Sequence, residues 1–228
     1  LFKHRSQLLM WDQHDGIFRE ARAAEVDRSA TTFLAVHGTF VRTGQSFSGL
    51  VHGNNQSWFG RLARSGQYRQ VLAFDHPTVL ASTQENADEF LRQLGGSFTG
   101  PVDVLTQSRG ALVARELALF KDQHFRKASF CAAAQGVGYF KTLRRVAKFL
   151  SMLKRMLRTA GRLTAAWVAG LAQHSAEFVL NTPGLKVMEP GSDALRRLLD
   201  APYPAGRVAP QLRPIIGDYD KTLVSGQR

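Results

Sequence analysis

Residues 101–115 read Pro101-Val-Asp-Val-Leu-Thr-Gln-Ser-Arg-Gly-Ala-Leu-Val-Ala-Arg115. An apolar run, Val102 to Leu105, enters a tight turn carrying Ser108, and a helix-like segment, Ala111 to Phe120, follows at once. This is the setting of a nucleophile elbow, in which a serine on a sharp strand-to-helix turn exposes its hydroxyl. Small neighbours let strand and helix approach, and the helix N-terminus offers backbone N–H groups to an oxyanion. The usual pattern is Gly-x-Ser-x-Gly. Gly110 fills the second glycine position, but Thr106 fills the first and brings a branched side chain where the turn favours little bulk. An ordinary serine capping a helix is the plainer alternative.

Working outward, Thr31-Thr-Phe-Leu-Ala-Val36 is a second β-branched apolar run, followed by His37-Gly38-Thr39-Phe40. In an elbow-type site one oxyanion N–H comes from the residue after the nucleophile and the other from a loop after an earlier strand, often marked His-Gly. Position assigns those donors to the backbone N–H groups of Arg109 and Thr39. Gly38 lets the loop pass close by. His37 precedes Ser108 in the chain, whereas the base of such a site follows its serine, so a structural role within the loop is expected for its imidazole. The Arg109 side chain is expected either to meet an anionic group on a substrate or to lie in solvent.

Four pieces, in order, carry a resemblance: Phe33-Leu-Ala-Val-His-Gly-Thr-Phe40, Val71-Leu-Ala-Phe-Asp-His-Pro77, Asp103 to Arg115, and Leu185-Lys-Val-Met-Glu-Pro-Gly-Ser192. Through them residues 31–217 resemble bacterial lipase-like α/β-hydrolases related to triacylglycerol lipases and lecithin:cholesterol acyltransferases. The resemblance implies an α/β-hydrolase fold, a Ser-Asp-His triad, and ester or lipid substrates. Gln107 stands where such enzymes usually carry His, a position outside the triad.

The spacing of the apolar runs agrees with that fold class. Strand signals recur at Thr31–Val36, Gln70–Phe74, Val102–Leu105, Lys127–Cys131 and Leu212–Ile216, with an early strand around Leu8 to Trp11. Helical periodicity lies between them at Gln56–Arg64, Gln84–Leu94 (with Ser82 and Thr83 as caps) and Ala111–Phe120. Alternating strands and helices give a mostly parallel central sheet with flanking helices. Ser108 then falls at the carboxyl end of a central strand, where open α/β sheets place their ligands. At 228 residues one domain, 1–228, accounts for the chain.

Residues 138–182 read as a helical insertion after the sixth strand. Leu143, Val146, Leu150, Leu153 and Leu157 recur at helical steps, flanked by Lys141, Arg144, Arg145, Lys148, Lys154, Arg155, Arg158 and Arg162. The expectation is a lid or cap with an apolar inner face for acyl chains and a basic outer face. The alternative is a helix pair packed on the sheet with a solvated basic side.

The partners of Ser108 are harder to place. A serine needs a base, and the base an orienting acid. After Ser108 the chain offers only His124, expected at the wrong end of the sheet, and His174, in the insertion. Asp218 or Asp220, after the last strand signal, is the candidate acid; Glu177 and Glu189 fit less well. The expectation is that a C-terminal strand and its histidine loop lie outside this sequence.

The formal net charge of +12 points to an anionic partner. An anionic membrane surface or a neighbouring protein domain fits the basic insertion, and nucleic acid rests on charge alone. A catalytically silent module binding such a partner through its basic cap is the reading from a different class. No zinc-ligand spacing or phosphate-binding loop is present, so no metal or cofactor is expected. The single cysteine, Cys131, reads as a buried, inert thiol and fits a reducing, cytoplasmic setting. No secretory leader is recognisable near Leu1.

Overall fold

The computed structural model describes residues 5–53, 56–132 and 182–203, and the backbone of 211–215. Seven strands form one sheet in the order β2-β1-β4-β3-β5-β6-β7. They are β1 (Gln7–Asp12), β2 (Ile17–Glu20), β3 (Thr32–Val36), β4 (Gln70–Asp75), β5 (Val102–Gln107), β6 (Lys127–Cys131) and β7 (Gln211–Ile215). Strands β3 to β7 are parallel. The β1–β2 hairpin adds antiparallel to β4 at one edge. The insertion expected over 138–182 lies outside the described residues, apart from Thr182 at its end.

Successive side chains of a strand point to opposite faces, and both faces of this sheet are covered. Leu34, Val36, Leu72, Phe74 and Val104 face one core with Ala87, Phe90 and Leu94 of α4 (Thr83–Leu94) and Val113 and Leu117 of α5 (Gly110–Phe120). Phe33, Ala35, Val71, Ala73 and Leu105 face the other with Trp11, Phe47 and Phe59. Phe59 belongs to α3 (Trp58–Arg64), which follows two single-turn helices, α1 (Thr43–Ser46) and α2 (Ser48–Val51). Runs such as Phe33-Leu-Ala-Val36 are therefore apolar throughout because both sides are buried.

Connection handedness fixes where a ligand can sit. From β3 the chain crosses to β4 on one side, then returns past β3 to β5 and on to β6. Parallel crossovers are right-handed, so opposite directions put α3 and the α4–α5 pair on opposite faces. The crossovers part at the carboxyl ends of β3 and β5, the switch point at which open α/β sheets take their ligands.

α4 is sharply defined. The Ser82 hydroxyl accepts from the Glu85 N–H at 3.1 Å and the Glu85 carboxylate accepts from the Ser82 N–H at 2.7 Å, a reciprocal capping box. Gly95, at φ 74°, closes the other end. Replacing Ser82 by Ala should lower stability by about 1 kcal/mol, read as a shift of the urea midpoint with unchanged slope.

The chain returning from 133–181 forms α6 (Pro183–Lys186) and α7 (Asp193–Asp200), which clamp the outer side of α5. Leu112 of α5 packs with Leu185, Val187, Met188, Leu195 and Leu198. The Arg115 guanidinium donates to the Leu198 carbonyl at 2.7 and 3.1 Å. Arg197 pairs with the buried Glu116 and lies over the Phe120 ring at 4.1 Å. At the far end of β5, Arg126 and the Tyr68 hydroxyl hold Asp103 at 2.8 and 2.7 Å. The strand and helix flanking Ser108 are thus fixed from both directions. No helix among the described residues is long and apolar enough to cross a membrane.

Candidate functional site: the turn at Ser108

Ser108 sits between the end of β5 and the start of α5 with φ 50°. A non-glycine residue in this region costs about 1–3 kcal/mol and persists only where its surroundings impose it. The Ser108 N–H donates to the Cys131 carbonyl at 2.8 Å, tying the turn to the end of β6. Its half-buried hydroxyl makes no hydrogen bond among the described residues. Two further strained residues stand at neighbouring carboxyl ends: Phe40 (φ 65°) after β3 and Ala132 (φ 47°) after β6. Of the positive-φ non-glycine residues among those described, only Asp122 (φ 56°), between α5 and β6, lies away from this end of the sheet.

Close packing explains both glycines. A Cβ on Gly110 would lie 2.3 Å from the Val36 carbonyl oxygen and 2.7 Å from that of His37, so α5 starts in direct contact with the end of β3. A Cβ on Gly38 would lie 3.0 Å from the Ser108 Cβ and 2.5 Å from the Gln107 Oε1, so the loop after β3 runs against the turn. The departure at Thr106 is also explained. That residue is still in β5, fully buried, and its hydroxyl donates to the Ser129 carbonyl of β6 at 3.4 Å. Its bulk points at the neighbouring strand.

The two expected oxyanion donors come from these elements. The backbone N–H groups of Thr39 and Arg109 have no hydrogen-bond partner among the described residues. The Arg109 N–H lies at the start of α5, where backbone N–H groups lack intrahelical partners, and both amides are open to an acceptor. The loop is held at several points. The Phe40 N–H donates to the Thr78 hydroxyl at 3.0 Å. The Ser46 hydroxyl donates to Gln107 Oε1 at 2.5 Å and accepts weakly from the Gly38 N–H at 3.5 Å. The Thr39 hydroxyl lies 3.6 Å from the Met188 sulfur. Ser46, Thr78 and Met188 have no sequence signal of their own, because their roles depend on contacts across the fold.

His37 is structural, as its place in the sequence indicates. Its Nε2 accepts the His76 N–H at 3.0 Å, so the proton must sit on Nδ1, which donates to the Gly38 carbonyl at 2.7 Å. Both nitrogens are committed and neither can take a proton from Ser108. The ring stacks on His76 at 4.2 Å. Nearby, Asp75 accepts from the Thr43 N–H and hydroxyl at 2.8 and 2.6 Å, which seats α1 against β4.

Burial pushes both imidazoles below their ordinary value of 6.5. Below about pH 6.5 the unfolded chain then binds protons that the folded one refuses, so stability falls with acidification. The Tm should drop between about pH 7.5 and about pH 5, and His76→Phe, which keeps the stack, should flatten that drop.

Arg109 departs from expectation. Its side chain is 0% exposed, so it neither lies in solvent nor reaches a substrate. Nε donates to the Gly184 carbonyl at 3.0 Å and Nη2 to the Ala81 carbonyl at 2.7 Å. It therefore binds the returning chain to the turn. Cys131 is half-buried rather than fully buried, and burial raises its thiol pKa. His124 lies exposed between α5 and β6, at the end of the sheet remote from Ser108, and Glu189 is exposed on the α6–α7 turn. Asp218, Asp220, His174 and Glu177 lie outside the described residues. No cluster of metal-ligating side chains occurs among the described residues.

Comparison with known proteins extends this picture. No curated protein is similar enough to count as a match. Among solved structures the chain is similar to a haloalkane dehalogenase from Paraglaciecola agarilytica, with 12% identity, 89% of this chain and 75% of that one covered, and a TM-score of 0.50. It also matches the Bacillus licheniformis lipase BlEst2 at 14% identity, 88% and 72% coverage and a TM-score of 0.47. A putative α/β-hydrolase family protein from Desulfitobacterium hafniense follows at 20% identity, 87% and 83% coverage and 0.40. At such identities the likeness speaks for the fold, which is that of the α/β-hydrolases. A family model described as a domain of unknown function, DUF7379, matches residues 4–226. The chain belongs to the DUF7379 family and has an α/β-hydrolase fold.

Proposed function

We propose that the protein is a serine hydrolase acting on carboxylic esters or lipids, related to the lipase-like branch of the fold that its sequence pieces resemble. The observation that carries this reading is the Ser108 turn: a strained serine at φ 50°, its hydroxyl unbonded among the described residues, beside two unpartnered amides.

In this reading Ser108 Oγ attacks the acyl carbon as its proton passes to a histidine base. The carbonyl oxygen becomes an oxyanion held by the Thr39 and Arg109 N–H groups. Collapse expels the alcohol, which takes the proton from the histidine, and water then hydrolyses the acyl-serine by the same path. We assign the base to a histidine outside the described residues and Asp218 or Asp220 as its orienting acid. The Cys131 carbonyl, just before the insertion, accepts the Ser108 N–H, and the Gly184 carbonyl, just after it, accepts from the Arg109 side chain. This supports assigning the insertion to the substrate side of the site.

The test is turnover of p-nitrophenyl esters of graded chain length by the full-length protein. Hydrolysis that falls by about a thousandfold or more in Ser108→Ala supports the reading. Equal rates in both proteins would sink it.

A further inference from the structure

Arg109 heads the largest side chains fully withdrawn from solvent, and no carboxylate pairs with it among the described residues. An unpaired buried cation is costly, by several kcal/mol even after relaxation. Two backbone carbonyls solvate Nε and Nη2, while Nη1 has no partner among the described residues. Carbonyl dipoles reduce the cost of the charge without cancelling it. Burial brings the guanidinium down to about 9, so the charge persists at neutral pH. Burial is the main cause that lowers the His37 and His76 imidazoles, and the field of Arg109 adds to it. A neutral donor could make the same two bonds without that cost, so the charge calls for a use beyond the clamp.

We propose that the Arg109 side chain is a positioning residue that sets a fixed positive charge behind the oxyanion site, to which the same residue contributes its N–H. The inference rests on the serine-hydrolase reading. Negative charge on a substrate oxygen would then be stabilised by two hydrogen bonds and by a preorganised cation that solvent does not screen. The charge acts on the transition state, so it changes the rate of the chemical step and leaves the affinity for a neutral ester or probe unchanged.

The experiment uses the full-length protein and a fluorophosphonate probe, separating the maximal inactivation rate from the probe's half-saturation concentration. The variants are Arg109→Met, which keeps length and removes charge, and Arg109→Lys, which keeps charge and loses the planar fork; each is checked for Tm. In Arg109→Met the maximal rate should fall by roughly tenfold to a hundredfold, the scale of one charge about 6–12 Å away at an effective dielectric of about 20, with half-saturation unchanged. Arg109→Lys should recover most of that loss; if the Met variant does not fold, Arg109→Gln, which keeps a donor and removes the charge, takes its place and should show the same fall. A folded Met variant reacting at the wild-type rate overturns the proposal. So does a Lys variant as slow as Met, because a mere clamp on Ala81 and Gly184 would not distinguish the two by charge. A wild-type protein that the probe does not touch overturns the serine-hydrolase reading itself, and this inference with it.

Discussion

Gly110→Ala should be severely damaging to the fold, because it forces backbone against backbone at the centre of the sheet. The added carbon would sit 2.3 Å from one backbone oxygen and 2.7 Å from another, on Val36 and His37. Backbone at the end of a central strand cannot rotate away as a side chain can. Helix α5 must therefore lift from β3, and its contacts with both the sheet and the α6–α7 clamp loosen together. The expected loss is about 3 kcal/mol or more, at the upper end for overpacking. A matched control lies nearby. At Gly44, in α1, an added Cβ would meet nothing within 4 Å, so Gly44→Ala should be neutral or raise stability by up to about 1 kcal/mol through helix propensity. Urea denaturation of the two variants side by side checks both.

Gly38→Ala should give the opposite signature, a large loss of activity on a largely intact fold. Its Cβ would meet the Ser108 Cβ at 3.0 Å and the movable end of Gln107 at 2.5 Å. Gln107 can yield, but only by giving up its bond from Ser46. The loop carrying the Thr39 amide must also shift by a few tenths of an ångström. A displaced oxyanion donor costs on the order of a hundredfold in rate, whereas stability should fall by about 1 kcal/mol, since the closest atom met is the movable end of the Gln107 side chain. The ratio of ester kcat/KM to wild type, set against the change in Tm, distinguishes this from general damage.

The two substitutions also show what a sequence can reveal. Gly110 and Ser108 are legible because a strand-turn-helix with glycine at one fixed offset is a local pattern. The parallel strands are legible for a similar reason: burial on both faces produces continuous apolar runs such as Val71 to Phe74. The hairpin partner β2 is not, because Ile-Phe-Arg-Glu on a solvent-facing edge lacks such a run. Helix α7 is readable in principle from Ser192 and the spacing of Leu195 and Leu198, yet its role depends on α5, more than seventy residues earlier. Arg109 defeats a sequence reading for a general reason. An arginine at a turn is normally at the surface, and only the arrival of the Ala81 and Gly184 carbonyls makes its burial tolerable. Thr106 looks like a defect because the motif is written as sequence. In the fold its side chain belongs to the sheet.

The central claim is that Ser108 is a nucleophile in an oxyanion-forming site. The most direct measurement is reaction of the folded, full-length protein with a fluorophosphonate, followed by peptide mass spectrometry to locate the phosphonyl group. A single adduct on Ser108 is expected, absent after denaturation before labelling and absent in Ser108→Ala. No adduct, or one elsewhere that persists in Ser108→Ala, would contradict it.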